Sequence, residues 1–319
     1  MLARFFLPVL LLISIGLSAD PRPPSGIPEI DSLPLNDWKA QSHPLSTFKA
    51  VSLSAVFPGG GQFYGGHPVR GSFLVGLESV LFGLSLYTYL VDLPRLDRVT
   101  SDYLDSANSA FDRMMRLTPD QRASSVDKST FEISIQRARN NASLRLQKAD
   151  LANSQLAWAI GLHFYGMADA LEIARKSQNP DPKSRSIEKA MWCGLAFPGG
   201  AQLYNERYGK FGMLWMALGA SAVSAWSRQN VVESLNLSIA SARAEEGTGG
   251  IATDVEQLDV DRTLYRKRRN QYYWGMALLY VYGVLDGMVD AALSDFDKPN
   301  RYALEPGSTP LSAVAVVHF

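Results

Sequence analysis

The 319-residue chain contains a single cysteine, Cys193, so no disulfide can form within it. Cys193 reads as a small apolar residue beside a turn rather than as a nucleophile. Charge of neither sign is in excess. The 31 basic and 31 acidic residues cancel, which leaves no electrostatic footprint for nucleic acid or an anionic surface. The four histidines, His43, His67, His163 and His318, are scattered without metal-ligand spacing. No Ser-His-Asp order stands out. The glycine-rich turns lack the Lys-Ser/Thr of a phosphate loop and the spacing of a dinucleotide fingerprint. These absences leave no catalytic residue, metal or cofactor to name, and a non-enzymatic protein is the expectation.

Mean hydropathy is near zero, but that average hides alternating apolar and polar blocks. The first block, "MLARFFLPVLLLISIGLSAD", has a basic residue, an apolar run and Ala19 before Asp20, the layout of a signal peptide over 1–19. An uncleaved anchor helix is the alternative. The prolines that follow predict an extended linker over 20–47. Four later blocks are candidate membrane helices: 71–92, 155–174, 211–227 and 273–293. A span needs about 20 mostly apolar residues. The first and last reach that length; the second carries acids and the third is short. A soluble all-α core is the competing reading.

The polar stretches 93–154 and 228–272 separate these blocks. In the first, Leu96, Val99, Tyr103, Ala107, Ala110, Met114 and Leu117 recur at steps of three and four, a seam of coiled-coil type. "LTPDQRASSVDKST" breaks it, and a second seam follows through Ile135, Ala138, Ala142, Leu146 and Ala149. The spacing predicts an antiparallel helical arm about 35 Å long at 1.5 Å per residue. The second stretch repeats the plan, with Val232, Leu235, Ile239 and Ala242, a turn at "EEGTGG", then Val255, Leu258 and Tyr265.

The repetition extends to the turns. "AVFPGGGQFY" at 55–64 returns as "LAFPGGAQLY" at 195–204, and within F-P-G-G-x-Q-x-Y six of eight positions are identical. Pro58, Gly59, Gly60, Gln62 and Tyr64 thus match Pro198, Gly199, Gly200, Gln202 and Tyr204, and Arg70 matches Lys210 at the same offset. A second motif closes each unit, "YGMADA" at 165–170 and "YGVLDG" at 282–287, and it pairs Asp169 with Asp286. Each unit therefore reads as a half-helix too short to span, a Pro-Gly-Gly turn, a membrane helix, a polar arm and a second membrane helix. The units cover 48–174 and 190–294, with a tail at 295–319. Two crossings per unit predict parallel repeats about an axis along the membrane normal. Proline and glycine should break the backbone at each turn, with Gln62, Gln202, Tyr64 and Tyr204 satisfying the groups this frees. The tail suggests one or two short strands.

The stretches "SAVFPGGGQFYGG", "GLAFPGGAQLYNERYGK" and "VLDGMVDAALSDFD" resemble a bacterial family called domain of unknown function 5683. That family has a P-G-x-G-Q-x-Y-N turn followed by a basic residue, and a late D-A/G-x-x-D-A helix. Asn205 keeps the pattern; Gly65 departs from it. The resemblance implies a membrane protein and supplies no activity.

Glu78, Asp169, Glu172, Asp286 and Asp290 lie inside or at the ends of apolar blocks. An ionisable group at membrane depth costs on the order of several kcal/mol unless paired or hydrated. Asp169 and Asp286 are expected either to play a structural part, pairing with Arg70 and Lys210 or accepting hydrogen bonds from the turn amides, or to line a pathway. A cleaved signal would put the arms in the cytoplasm. The run "RKRR" at 266–269 agrees with this by the positive-inside trend, whereas the basic loop 175–190 opposes it. The expected protein sits among lipid in the inner membrane and uses its arms on a protein partner or a second copy of itself. The alternative is a transporter or channel for a small solute or lipid.

Overall fold

The computed structural model describes residues 44–179, 184–246, 255–294, 304–306 and 313–315. The chain divides into two units, Met1–His43 and Pro44–Phe319, and all that follows concerns the second. The signal peptide, most of the linker, much of the second arm's turn and most of the tail lie outside the described residues.

The described chain is nearly all helical. Helix α1 (Thr47–Val56) is followed by the single turn α2 (Gly60–Tyr64) and then α3 (Pro68–Tyr87). A π turn at Thr88–Asp92 joins α3 to α4 (Leu93–Met115) without a break. After the one-turn α5 (Pro119–Ala123) comes α6 (Val126–Gln178). The order then repeats with α7 (Ile187–Ala196), α8 (Gly200–Tyr204), α9 (Tyr208–Glu246) and α10 (Val255–Leu293). Two three-residue segments, Leu304–Pro306 and Ala313–Ala315, pair antiparallel in the tail. Several boundaries move from the sequence expectation. Helix α1 begins inside the expected linker, α6 runs past 174, and α7 starts before 190.

Each start has a local cause. Ser46 and Ser186 cap α1 and α7 by accepting the N–H of Lys49 and Lys189, each at 3.4 Å. The π turn lies just ahead of Pro94, which has no N–H to give and would clash with the carbonyl four residues back. The Leu93 N–H reaches instead to the Thr88 carbonyl, and this wider turn lets the helix continue through the proline.

The long helices stand in a row in the order α3–α4, α6, α9, α10, each packed on the next. The outer two are not extensively in contact among the described residues. Side-chain pairs fix an antiparallel register from end to end. Along α3–α4 and α6 these include Arg70 with Asp169, Glu78 with His163, Asp92 with Lys148 and Arg113 with Asp127. Lys210 with Asp286 and Gln229 with Arg269 do the same for α9 and α10. The arms are thus continuations of the same helices. With 53 residues, α6 is about 80 Å long.

The seams face inward with one exception. Ala107, Ala110, Ala138, Val232, Leu235, Ile239 and Ala242 are buried, while Ala142 is exposed and Arg145 takes its level, paired with Asp97.

Among the described residues, two helices are long and apolar enough to cross a membrane, Pro68–Met115 and Val255–Leu293. These contain the first and last of the four expected blocks; 155–174 and 211–227 do not meet that standard. Only 17% and 28% of the two apolar windows is buried in the protein. Beside a few large groups such as Leu74, Leu162 and Leu214, the interior there holds mostly small residues such as Ala159, Ala168, Ala170, Ala220, Ala225 and Ser224. Phe82, Leu90, Trp226, Trp274, Leu278 and Val289 point outward. Water-soluble folds bury the large apolar groups and leave few contiguous apolar patches outside; this arrangement is the reverse.

Candidate functional site

The two glycine turns build the same local structure. Phe57 and Phe197 are extended, which ends the preceding helix, and Gly59 and Gly199 then adopt φ of 75° and 86°. Only glycine takes that conformation without strain. A Cβ on Gly60 or Gly200 would lie 2.5 Å from the Leu53 carbonyl or 2.0 Å from the Cys193 carbonyl, so the corner closes only without one. Pro58 and Pro198 open the corners, and the Pro198 carbonyl accepts the Trp215 indole N–H at 2.9 Å.

Each corner aims a glutamine at the end of a long helix. Gln62, fully buried, donates through Nε2 to the Gly166 carbonyl at 2.8 Å and to Asp169 Oδ2 at 2.9 Å. Asp169 Oδ1 accepts Arg70 Nη1–H at 2.9 Å. In the second unit Gln202 Nε2 donates to the Gly283 carbonyl at 2.7 Å and to Asp286 Oδ2 at 3.2 Å. Lys210 Nζ donates to Asp286 Oδ1 at 2.8 Å and to both carboxylate oxygens of Asp290. The tyrosines act one step earlier: the hydroxyls of Tyr64 and Tyr204 accept the N–H of Ser46 and Ser186.

This corrects one expectation. The glutamines and tyrosines do not satisfy the turn backbone. The Gly60 and Gly200 amides bond to the Phe57 and Phe197 carbonyls, and the Gly61 amide to Ser54 Oγ. The glutamine instead bridges its turn to the neighbouring helix, and the tyrosine pins the start of the half-helix.

The stations differ in ways the duplicated motifs do not reveal. Ser54 donates to Gln62 Oε1 at 3.4 Å; its counterpart is Gly194, and Gln202 Oε1 is buried with no partner. Asp290 adds a second carboxylate to Lys210 where the first unit has Ile173. Glu172 pairs with Lys176 and accepts the Gly209 N–H at 2.6 Å, which places a carboxylate at the start of α9 and joins the two units.

Two further clusters escaped sequence reasoning, because each depends on helix register. Glu78 Oε1 lies 2.9 Å from His163 Nδ1, and His163 Nε2 lies 3.1 Å from the Ala55 carbonyl. At the base of the arms Asp150 and Arg228 approach at 3.4 Å, an ion contact with little exposure on either side. Arg228 also donates to Ser154 Oγ and the Ser224 carbonyl and lies over the Tyr272 ring. Burial pushes the Asp150 carboxyl above its ordinary value, against the opposing pull of Arg228, Ser227 and Arg268. Burial likewise raises the Tyr265 phenol nearby, with Asp150 adding to the effect.

Residues 183–313 match the model of a family described as "Family of unknown function (DUF5683)". The second unit resembles DUF5683. The matched stretch holds the Gln202–Asp286–Lys210–Asp290 station entire, and the first station falls outside it. Comparison with curated proteins and with solved structures gives no match.

Chemically, the first station is closed, and the second leaves one buried acceptor, Gln202 Oε1, without a partner. Each carboxylate at a glycine corner faces a cation or an amide, and each glutamine ties a broken backbone to a long helix.

Proposed function

We propose that this chain is a non-enzymatic integral protein of the inner membrane. In this reading two parallel units share the bilayer, and the helical arms engage another protein or a second copy of the chain. The observation that carries it is the inverted distribution of side chains: alanine, serine and glycine between the helices, and phenylalanine, leucine, valine and tryptophan on the outside. Lipid is the solvent that rewards that arrangement, because it stabilises close helix contact through small residues and wets large apolar ones. Matching polar stations at both glycine corners support a duplicated unit. The corners themselves suit half-helices that enter the apolar zone and turn back. Arms that extend the spans unbroken, with continuous apolar seams, support the engagement of a partner.

The full chain should sediment with membranes and be released only by detergent. Recovery in the supernatant after high-speed centrifugation without detergent would end this reading. Crosslinking in cells through cysteines placed at the arm surfaces is expected to capture a protein partner or a second copy; capture of neither removes the role given to the arms. One observation favours transport of a small solute or lipid: Asp290 leaves the second station with more negative than positive charge. D169N and D286N separate the readings. Loss of folded protein fits fastening, whereas normal abundance with a lost flux fits transport.

A further inference from the structure

We propose that Glu78 and His163 form a proton-binding site in the apolar zone of the first unit, a site that holds one proton between carboxylate and imidazole. The reasoning is a count of donors. Both ring nitrogens of His163 face acceptors: Nδ1 faces Glu78 Oε1 at 2.9 Å, and Nε2 faces the Ala55 carbonyl at 3.1 Å. Neutral imidazole has one N–H. If Nε2 carries it, Nδ1 presents a lone pair to the carboxyl group, and a hydrogen bond forms there only if a further proton lies on Nδ1 or on Glu78.

The second unit identifies which nitrogen must donate. The residue matching His163 is Tyr280, and the carbonyl matching Ala55 is Leu195. Tyr280 donates its hydroxyl to the Leu195 carbonyl at 2.8 Å. Ala55 and Leu195 both lie in the last turn of their half-helices, where carbonyls have no partner within the helix. Each unit therefore supplies a side-chain donor to the same exposed carbonyl, and in the first unit that donor is Nε2–H. The position matching Glu78 is Leu218. The acid and the imidazole occur together in one unit and are absent together from the other, as a two-residue site requires.

Loading the site moves one H⁺ from water onto the pair and changes its net charge from −1 to 0. The charged residues on the packed elements lie away from it. Arg70 on α3 and Asp169 on α6 pair with each other about two helical turns along. Lys49 on α1 lies over the Tyr64 ring, and Lys210 at the start of α9 is held by Asp286 and Asp290. No cation other than His163 is in contact with Glu78 among the described groups. The site's geometry holds whether or not the membrane reading does.

The test is ¹⁵N NMR of histidine-labelled full-length protein in detergent micelles or nanodiscs, with the His163 signals assigned by their absence in H163Y. The expected result is Nε2 protonated and a proton on the Nδ1–Glu78 bond, seen as imidazolium or, by infrared difference against E78Q, as a protonated carboxyl. In E78Q the amide should donate to Nδ1, leaving a neutral Nε2–H ring with visibly shifted Nδ1. Either a neutral Nδ1–H ring with bare Nε2 in the unmodified protein, or an Nδ1 signal indifferent to E78Q, would overturn the proposal. The E78L/H163Y double variant installs the second unit's residues and is expected to fold, so that the proton signals report the site and not a loss of structure.

Discussion

Adding one methyl group at Gly61 should destabilise the protein by about 3 kcal/mol, and the side-chain share of that cost should vanish when two neighbours are changed first. A Cβ at Gly61 would lie 2.4 Å from Ala170 Cβ, 2.5 Å from Ser54 Oγ and 2.4 Å from the Ala50 carbonyl. Overpacking of this kind costs about 1–3 kcal/mol, and the backbone contact puts G61A at the upper end. The second unit already carries the methyl, as Ala201, and its neighbours have shrunk: Ser54 is matched by Gly194 and Ala170 by Gly287. A Cβ restored on Gly287 would lie 2.1 Å from Ala201 Cβ. The two stations are alternative solutions to one packing problem. In the S54G/A170G background the two side-chain contacts are gone and only the Ala50 carbonyl still crowds the added methyl, which also replaces a helical glycine, worth about 1 kcal/mol. The two effects of G61A should then differ by roughly 2 kcal/mol, the side-chain share of the overpacking cost, still well beyond the ~0.5 kcal/mol of additive sites. The assay is unfolding in mixed micelles followed by tryptophan fluorescence, with the four corners of the cycle measured together. Equal effects of G61A in both backgrounds would refute the reasoning.

Three other outcomes are expected. Q62L should cost about 1 kcal/mol more than Q202L in the same assay, because Gln62 Oε1 has the Ser54 hydroxyl and Gln202 Oε1 has no partner. A buried Asp150 whose folded value lies above its ordinary 3.8 contributes stability that is full below that value and is lost as pH rises through the raised one. The thermal midpoint of D150N relative to the unmodified protein should therefore change across that acidic window, and parallel pH profiles would contradict it. G212L should separate α9 from α6, since a Cβ at Gly212 would already lie 2.5 Å from Ala168 Cβ; loss of the folded protein in a fluorescence size-exclusion profile is the readout.

How much of this was legible before the structure depended on whether the information was local. The corners were visible because proline, positive-φ glycine and a glutamine at fixed spacing act within ten residues. The pairing of Arg70 with Asp169 and Lys210 with Asp286 could be anticipated because duplicated motifs carried both partners. The Glu78–His163 and Asp150–Arg228 contacts could not, since each needs the register of two helices distant in sequence. Ala142 misled for a related reason: it is exposed between seam neighbours that face inward, Ala138, Leu146 and Ala149, which only the packing of α6 on α4 reveals. The apolar windows were half legible. Helices α3 and α10 stand at the ends of the row and carry large apolar side chains outward, whereas α6 and α9 lie between neighbours and place alanine, glycine and serine at those contacts. Their low apolarity reflects position in the row.

The unbroken passage from apolar zone to arm has a mechanical consequence. The stretch of α6 from residue 126 to 154 is about 43 Å long. In the membrane reading proposed above, a tilt of roughly 10° in the apolar part, well inside the range open to membrane helices, would swing the arm tip by about 7 Å. With no hinge between the two parts, the arm is a lever whose pointer reports the lean of its root.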